Sequence, residues 1–535
     1  MTMIQNGIAG MTAASTSLMV TSTNIANASV AGYSRQQAVY DTSPTGTVYV
    51  SSIERITDDF YVSQAQDASN SLGYATAFAS QSSKLETTLS SDAMSLSPSL
   101  NAFFESLDAA QADPMDSAYR QQVLSEADNL AAQFNTLSGN IYDQMDDINQ
   151  ELTTMVDEAN NLMTHLAELN QEIAQADAAG AVSGDLLDER DRTVQQLSEL
   201  VGVEAVYQDD QTVDAFLPSG EPLVVNGDAN EILLMDGEPN SEMKQLGLDT
   251  GTHVKVLGED IGGSLQAQMD FRDEVLEPAL NELDRMALVL ADNVNEQLSE
   301  GYDLDGESGD MLFNDINSEE AKKDRSTSLE GTDAALSVEI SDSSELTAEE
   351  YLVEIDDNGQ PVVTVYPGGD SFEPEISADG TITFDGITLS VAEGSIEPGD
   401  SFYIEPGKNA AANMEVIMDD PSKLAFSKEP DEPGNNENLL ALSDLQDADL
   451  VEGELSVNEA YNELVIDVGS TTASAMKEYN AAMLVYQEAN SNLLSMAGVN
   501  MDEEASNLLI FQQTYAANAK VISAADEMMN TILAI

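Results

Sequence analysis

Cysteine occurs nowhere in the 535 residues, so this chain has neither a disulfide framework nor a thiolate metal site. Tryptophan is absent too, which removes the commonest platform for stacking a sugar and counts against carbohydrate binding. Histidine is almost absent. His165 falls in a helical stretch and His253 stands elsewhere, and a lone imidazole without a clustered acid or nucleophile fits no triad or metal pattern. Basic residues are scarce: 18 Lys and Arg face 98 Asp and Glu, a net charge of −80. That excess repels phosphate backbones and anionic lipid, so neither nucleic acid nor a membrane surface is expected as a partner. It also opposes self-association unless salt screens it over a Debye length of about 8 Å, which hints at a saline setting. No stretch approaches the roughly 20 apolar residues of a membrane span. The start, Met1 to Gly7, lacks the basic and continuously apolar regions of a cleavable signal, so export is expected by a route that reads no such signal.

What the chain does have is 42% hydrophobic residues, enough for several cores, and two amphipathic ends. Ile4, Ile8, Met11, Ser15, Leu18, Ser22 and Ile25 recur at alternating steps of four and three, which lines one seam of a helix. Leu508, Phe511, Tyr515, Ala519, Ile522, Ala525, Met529 and Ile532 do nearly the same near the other end. Chain ends fray unless they dock. These two are therefore expected to pair with each other or with neighbouring subunits. Their Ser and Ala positions make each marginal alone and ordered mainly on association.

Between the ends the pattern changes several times. The expected segments are an N-terminal assembly helix at 1–36, a helical region with a long coiled-coil helix at 37–202, and a small β element at 203–262. A helical region at 263–325, an inserted β domain at 326–408, connection and return helices at 409–498 and a C-terminal assembly helix at 499–535 complete the outline. Helical spacing resumes at about Leu72, and the longest run, Ala127 to Ala176, is roughly fifty residues, or about 75 Å of helix. Asp-Asn-Gly, Pro-Gly-Gly and Asp-Gly turns divide short β-rich runs between Tyr351 and Ile404. Asn500 is placed to cap the last helix, with Glu503 as its reciprocal capping partner. The fold class expected is mainly α with inserted β. The N- and C-terminal regions form a long antiparallel helical bundle or coiled coil, and β-rich domains are inserted into it.

Little points to chemistry. Carboxylate pairs are everywhere, so no glycosidase-like dyad rises above background. The run Asp303 to Asp310 resembles a calcium loop, but its sixth and twelfth positions are Ser308 and Asn314 where an EF-hand needs Gly and Glu. Arg190 and Arg192 are expected to pair with neighbouring acids, and no phosphate-binding or dinucleotide fingerprint is present. No catalytic, cofactor-binding or metal residue is assigned, and no enzyme activity is expected. The competing reading is a secreted β-rich surface adhesin, or an enzyme housed in residues 326–408.

Two terminal motifs carry a resemblance. Asn24-Ile25-Ala26-Asn27-Ala28-Ser29-Val30-Ala31-Gly32-Tyr33-Ser34-Arg35-Gln36 resembles the N-terminal signature of the flagellar rod, hook and hook-associated proteins. Gly498 to Ala505, followed by Phe511-Gln512-Gln513-Thr514-Tyr515 and Lys520 to Met528, resembles their C-terminal one. The matching positions are Asn24, Asn27, Gly32, Tyr33 and Arg35 at one end, and Glu503, Glu504, Gln512 and Gln513 at the other. Leu186 to Asp191, Leu217-Pro218-Ser219-Gly220 and Gly434 to Asn438 resemble internal landmarks of the hook-associated junction proteins in that group. The resemblance implies a secreted structural subunit of the bacterial flagellum, exported by the flagellar type III apparatus to the hook–filament junction. There it would pack with itself in a ring-like layer, against the hook protein and a second hook-associated junction protein. It also implies an export chaperone that covers the C-terminal helix, whose Phe511, Tyr515, Ile522 and Met529 would otherwise be exposed.

Overall fold

The computed structural model describes residues 2–533 apart from 45, 92, 242, 259, 378 and 379. Residues 1, 534 and 535, at the outer limits of the two terminal segments, lie outside the described residues. Helix α1 (Thr2–Asn27) stops ahead of Gly32, which takes a left-handed φ of +73° that a side chain would resist. An antiparallel hairpin follows, β1 (Gln36–Thr42) with β2 (Val48–Arg55), bulged at Val39/Tyr40. Helix α2 (Asp59–Ser90) is capped by the Asp58 carboxylate on the Phe60 N–H. It begins thirteen residues before the helical spacing becomes legible at Leu72. Its early buried positions include Ala65, Gln66, Ala68 and Ser69, which pack closely but write no apolar period.

Helix α3 (Ser97–Ala110) leads into α4 (Ser117–Ala178), whose 62 residues span about 93 Å. It starts ten residues ahead of the Ala127 expected from periodicity, at the Asp116 cap. Helix α5 (Gly184–Leu200) is capped by Ser183. Two small antiparallel sheets come next. One holds β3 (Glu204–Tyr207), β4 (Val213–Phe216), β5 (Pro222–Val225) and β6 (Asp228–Ala229); the other holds β7 (Glu231–Asp236), β8 (Lys244–Asp249) and β9 (Val254–Val256).

Helix α6 (Gly263–Phe271) continues through one π turn, Arg272–Leu276, into α7 (Glu277–Ser299). Pro278 has no N–H to give the preceding turn, and the wider i→i+5 turn just before it accommodates that gap. After the short α8 (Glu319–Asp324) the chain makes two further sheets. The five-stranded one has the order β10 (Ser326–Ser328), β18 (Ser401–Ile404), β12 (Glu350–Ile355), β13 (Pro361–Tyr366), β14 (Ser371–Phe372). The four-stranded one has the order β11 (Ala335–Ile340), β17 (Ile387–Glu393), β16 (Ile382–Phe384), β15 (Glu375–Ile376). Val338, Val353, Val363, Ile387 and Phe402 are fully buried in them. The chain returns through α9 (Glu437–Asp444), α10 (Val457–Ala497) and α11 (Met501–Leu533).

The fold is mainly helical, with long helices from both ends of the chain and β structure threaded between. Helix α10 packs along α2, which also meets α5 and α6, while α4 carries α3 on one flank and α5 on another. Their shared core includes Leu85, Phe134, Ile141, Leu152, Val194 and Phe271. Helix α1 packs against α11 and the β1–β2 hairpin. Among the described residues no helix is long and apolar enough to cross a membrane.

Candidate functional site

The two terminal helices run antiparallel, because Gly7 near the start of α1 meets Ile522 late in α11 while Ser17 and Thr21 lie beside Glu504, Asn507 and Phe511. Small residues set how closely they approach. A Cβ on Gly7 would lie 2.7 Å from Ile522 Cγ1, and one on Gly10 would lie 2.6 Å from Asn518 Oδ1. The buried line of α1 is Gly7, Ala13, Ala14, Ser17, Val20, Thr21 and Asn24. The larger seam residues flank it: Ile4, Met11, Leu18 and Ile25 are half-buried, and Ile8 is 52% exposed. On α11 the inward side holds Leu508, Phe511 and Ile522, half-buried, with Ala525 buried, whereas Tyr515, Met529 and Ile532 are exposed. Further apolar side chains of α11, Leu509, Ile510, Val521 and Met528, are exposed, with Leu509 at 58% and Ile510 at 54%.

Where the helices meet the rest of the molecule, the motif residues interlock. Asn24 is buried and held by three hydrogen bonds: its Oδ1 accepts from the Gln36 N–H at 3.0 Å and the Tyr33 hydroxyl at 2.8 Å, and its Nδ2 donates to the Gln36 carbonyl at 2.9 Å. Asn27 accepts the Val30 N–H on its carbonyl and hydrogen-bonds Tyr33 through its side chain. Burial, with Asp185 and Asp188 nearby, pushes the Tyr33 phenol up to about 12, so it stays a donor. Gly32 lies against the Arg192 guanidinium, where a Cβ would come within 3.0 Å of Nε. Arg35 donates its backbone N–H to the Ala497 carbonyl at 2.7 Å, and its guanidinium reaches Glu503 at 2.9 Å.

That last contact changes the expected helix cap. Asn500 does cap α11, accepting from the Asp502 and Glu503 N–H groups, but the Glu503 carboxylate is turned to Arg35 instead of back to Asn500. Glu504 is buried, while Gln512 and Gln513 are exposed. The landmark on α5 closes the node. Asp188 takes the Ser34 N–H at 2.9 Å and Arg55 at 3.0 Å, and Arg55 also reaches Asp191 at 2.7 Å. Burial raises the Asp188 carboxyl, and the Ser34 N–H and Arg55 pull it back. Sequence reading did not single out Gly7, Gly10 or Arg55. The signal for the glycines was the small-residue line itself, and nothing local marks Arg55.

The groups weighed for chemistry are engaged by neighbouring groups of the protein. Asp303 is filled by protein: its Oδ1 accepts the Asp305 and Glu307 N–H groups and its Oδ2 takes Lys423 at 2.8 Å. Arg190 is bound by Asp191 and stacks over Tyr207 at 4.8 Å, and Arg192 pairs with Glu189. His165 lies 3.6 Å from Glu189. No group of three or more acid, histidine or cysteine side chains among the described residues could hold a metal.

Three segments match known family profiles. Residues 82–313 match the helical domain of flagellar hook-associated protein FlgK, 325–406 the D2-like domain of flagellar hook-associated protein 1, and 478–535 the C-terminal region of flagellar basal body rod FlgEFG proteins. Flagellar hook-associated protein 1 of Escherichia coli (strain K12) is 31% identical over 551 residues, 99% of each chain. The chain belongs to the flagellar hook-associated protein 1 family. The relative from Salmonella typhimurium is likewise 31% identical over 99% of each chain, and that from Bacillus subtilis is 24% identical over 98% of this chain and 96% of its own. The fold is that of the flagellar hook junction protein FlgK from Burkholderia pseudomallei, at a TM-score of 0.72 and 19% identity, covering 81% of this chain and 100% of that one. As a member of the hook-associated protein 1 family, the chain is a structural component of the extracellular flagellum, and the adhesin and enzyme readings are set aside.

Proposed function

We propose that the protein forms a ring-like layer between hook and filament, in which α1 and α11 of one copy dock on those of the next. The observation that carries this is the outer surface of the helix pair. Two helices lying side by side can bury one face each; here Ile8, Met19, Leu509, Ile510 and Met528 remain on the outside. The same surface is nearly free of charge. Residues 1–34 contain no Asp, Glu, Lys or Arg, and residues 505–535 contain only Lys520, Asp526 and Glu527, in a chain of net charge −80. Copies can therefore meet along these helices without the repulsion the rest of the molecule would impose.

In this arrangement the terminal helices form the inner tube, α2, α4 and α10 the next shell, and the β insertions the outside. The hook protein packs on one side of the layer and a second hook-associated junction protein on the other, and no step of catalysis is involved. Before export through the type III apparatus, a chaperone covers α11, whose apolar lines would otherwise invite association in the cytoplasm.

The test is complementation of a strain lacking this protein. The full chain is expected to restore filaments. A chain without residues 505–535 is expected to leave bare hooks, with filament protein released to the medium. Normal layers built from the shortened chain would refute the proposal.

A further inference from the structure

With 98 acids in the chain, most of its lysines and arginines lie in ion pairs. Arg120 and Arg325 are exceptions, buried against backbone carbonyls. Among the described residues, Lys477 on α10 and Lys520 on α11 are the two that stand exposed with no acid paired to them. Lys520 is also the single cation of residues 505–535. In so acidic a chain, a lysine without a counter-ion on its own molecule is free to take one from another.

The complementary charge lies sixteen residues earlier on the same helix. Glu504 is 3% exposed, and among the described residues nothing gives its carboxylate a hydrogen bond or an ion pair. It lines a recess of about 170 Å³ between α1, β1 and the first turns of α11, together with Ser17, Thr21, Arg35, Tyr40 and Asn507. The groups nearby are committed elsewhere. The Arg35 guanidinium is taken by Glu503 at 2.9 Å, Ser17 and Tyr40 hydrogen-bond each other, and Tyr33, which feels the Glu504 charge, gives its hydroxyl to Asn24. Two carboxylates and one guanidinium leave the recess one negative charge in excess, and a carboxylate held away from water without a partner is costly. One ammonium on a slender stem supplies both the donor and the charge that are missing.

We propose that Lys520 of one copy enters the Glu504 recess of the next. The inference rests on the reading that α1 and α11 join copies, and it adds the paired groups and the register. Within one chain the two residues are separated by about 24 Å of helix, so the ammonium does not reach its own recess. Between copies whose helices lie parallel, a displacement of about 24 Å along α11 brings the two together. The contact is one-way. It leaves a free lysine at one end of a row and an empty recess at the other, and so chains copies head to tail. Enclosed between helices, the pair is screened by salt far less than the exposed charges of the body. It also fixes the register of helices whose apolar side chains alone would let them slide.

Because the chain lacks cysteine, disulfide formation reads this register with both charged residues left intact. Asn507 lines the recess, and Ser523 lies exposed one turn beyond Lys520, again sixteen positions away. In one chain their Cα atoms are about 24 Å apart, well past the roughly 7 Å limit of a disulfide, so any bond joins two copies. Oxidised flagella from cells whose only copy is Asn507→Cys/Ser523→Cys are expected to give a ladder of dimers, trimers and longer chains on a non-reducing gel, while each single variant stays monomeric. Lys520→Gln and Glu504→Gln are each expected to lower the fraction of hooks bearing filaments at least severalfold, and together no further than either alone. If Glu504→Gln does not fold, as judged by circular dichroism, Lys520→Gln in the double-cysteine chain provides the comparison, and its ladder is expected to fade. A layer that forms normally but yields no ladder, dimers alone as an antiparallel pair would give, or neutral variants that build as well as the parent would overturn the proposal. Failure of the reading beneath it shows separately, as normal layers from the chain without residues 505–535.

Discussion

At the scale of single residues, the junction between the terminal helices and the body contains two arginines of different worth. Arg35 meets Glu503 with side chains 25% and 60% exposed, whereas Arg55 and Asp188 are 6% and 3% exposed. Solvent screens the first pair, so Arg35→Ala is expected to cost under about 1 kcal/mol. Removing Arg55 leaves Asp188 buried with its charge unpaired and only the Ser34 N–H and side chain as partners, and Arg55→Ala is expected to cost about 3 kcal/mol. Urea denaturation of the full chain checks the difference, and equal costs would contradict it. The sequence motif located Asn24, Tyr33 and Asp188 but not what they hold. Asn24 binds both backbone polar groups of Gln36 and closes a loop, while Asp188 reaches back across 154 positions to Ser34, a pairing that no local pattern encodes.

At the scale of elements, periodicity read the large residues and missed the small ones. The step pattern at Ile4, Ile8, Met11 and Leu18 is real, but α11 comes closest at Gly7 and Gly10 and the most buried positions of α1 include Ala13 and Ser17, small residues that a heptad reading passes over. The same cause hides the first turns of α2, and the Asp116 cap lengthens α4 beyond its apolar run. Strands β7 to β9 fall within the β element expected at 203–262, although the legible alternation stops at Val225 and β9, three exposed residues, offers no buried alternation. The outward line of α11 should behave unlike a core. Leu509→Ser/Ile510→Ser is expected to shift the stability of the isolated chain by under about 1 kcal/mol, since neither side chain is buried there. The same change should sharply reduce incorporation at the hook tip. Thermal melts and microscopy of complemented cells together check this, and normal incorporation would contradict it.

At the scale of the whole molecule, charge is segregated. Helix α1 carries no charge and α11 a net charge of only −1 beyond its acidic first turn, Asp502-Glu503-Glu504, so the body carries most of the −80. Apolar docking along the helices is little affected by salt, while neighbouring bodies repel until counterions screen them within about a Debye length. Assembly of purified chain into layers is therefore expected to weaken as ionic strength falls, which sedimentation across a salt series would follow; salt-independent assembly would contradict it. The layer itself offers the most direct measurement. An image reconstruction of the hook–filament junction that resolves side chains is expected to place α1 and α11 innermost, with Ile8, Leu509, Ile510 and Met528 buried against neighbouring copies. Terminal helices lying apart from one another, or those side chains left in solvent while other surfaces join the copies, would contradict the role assigned to them.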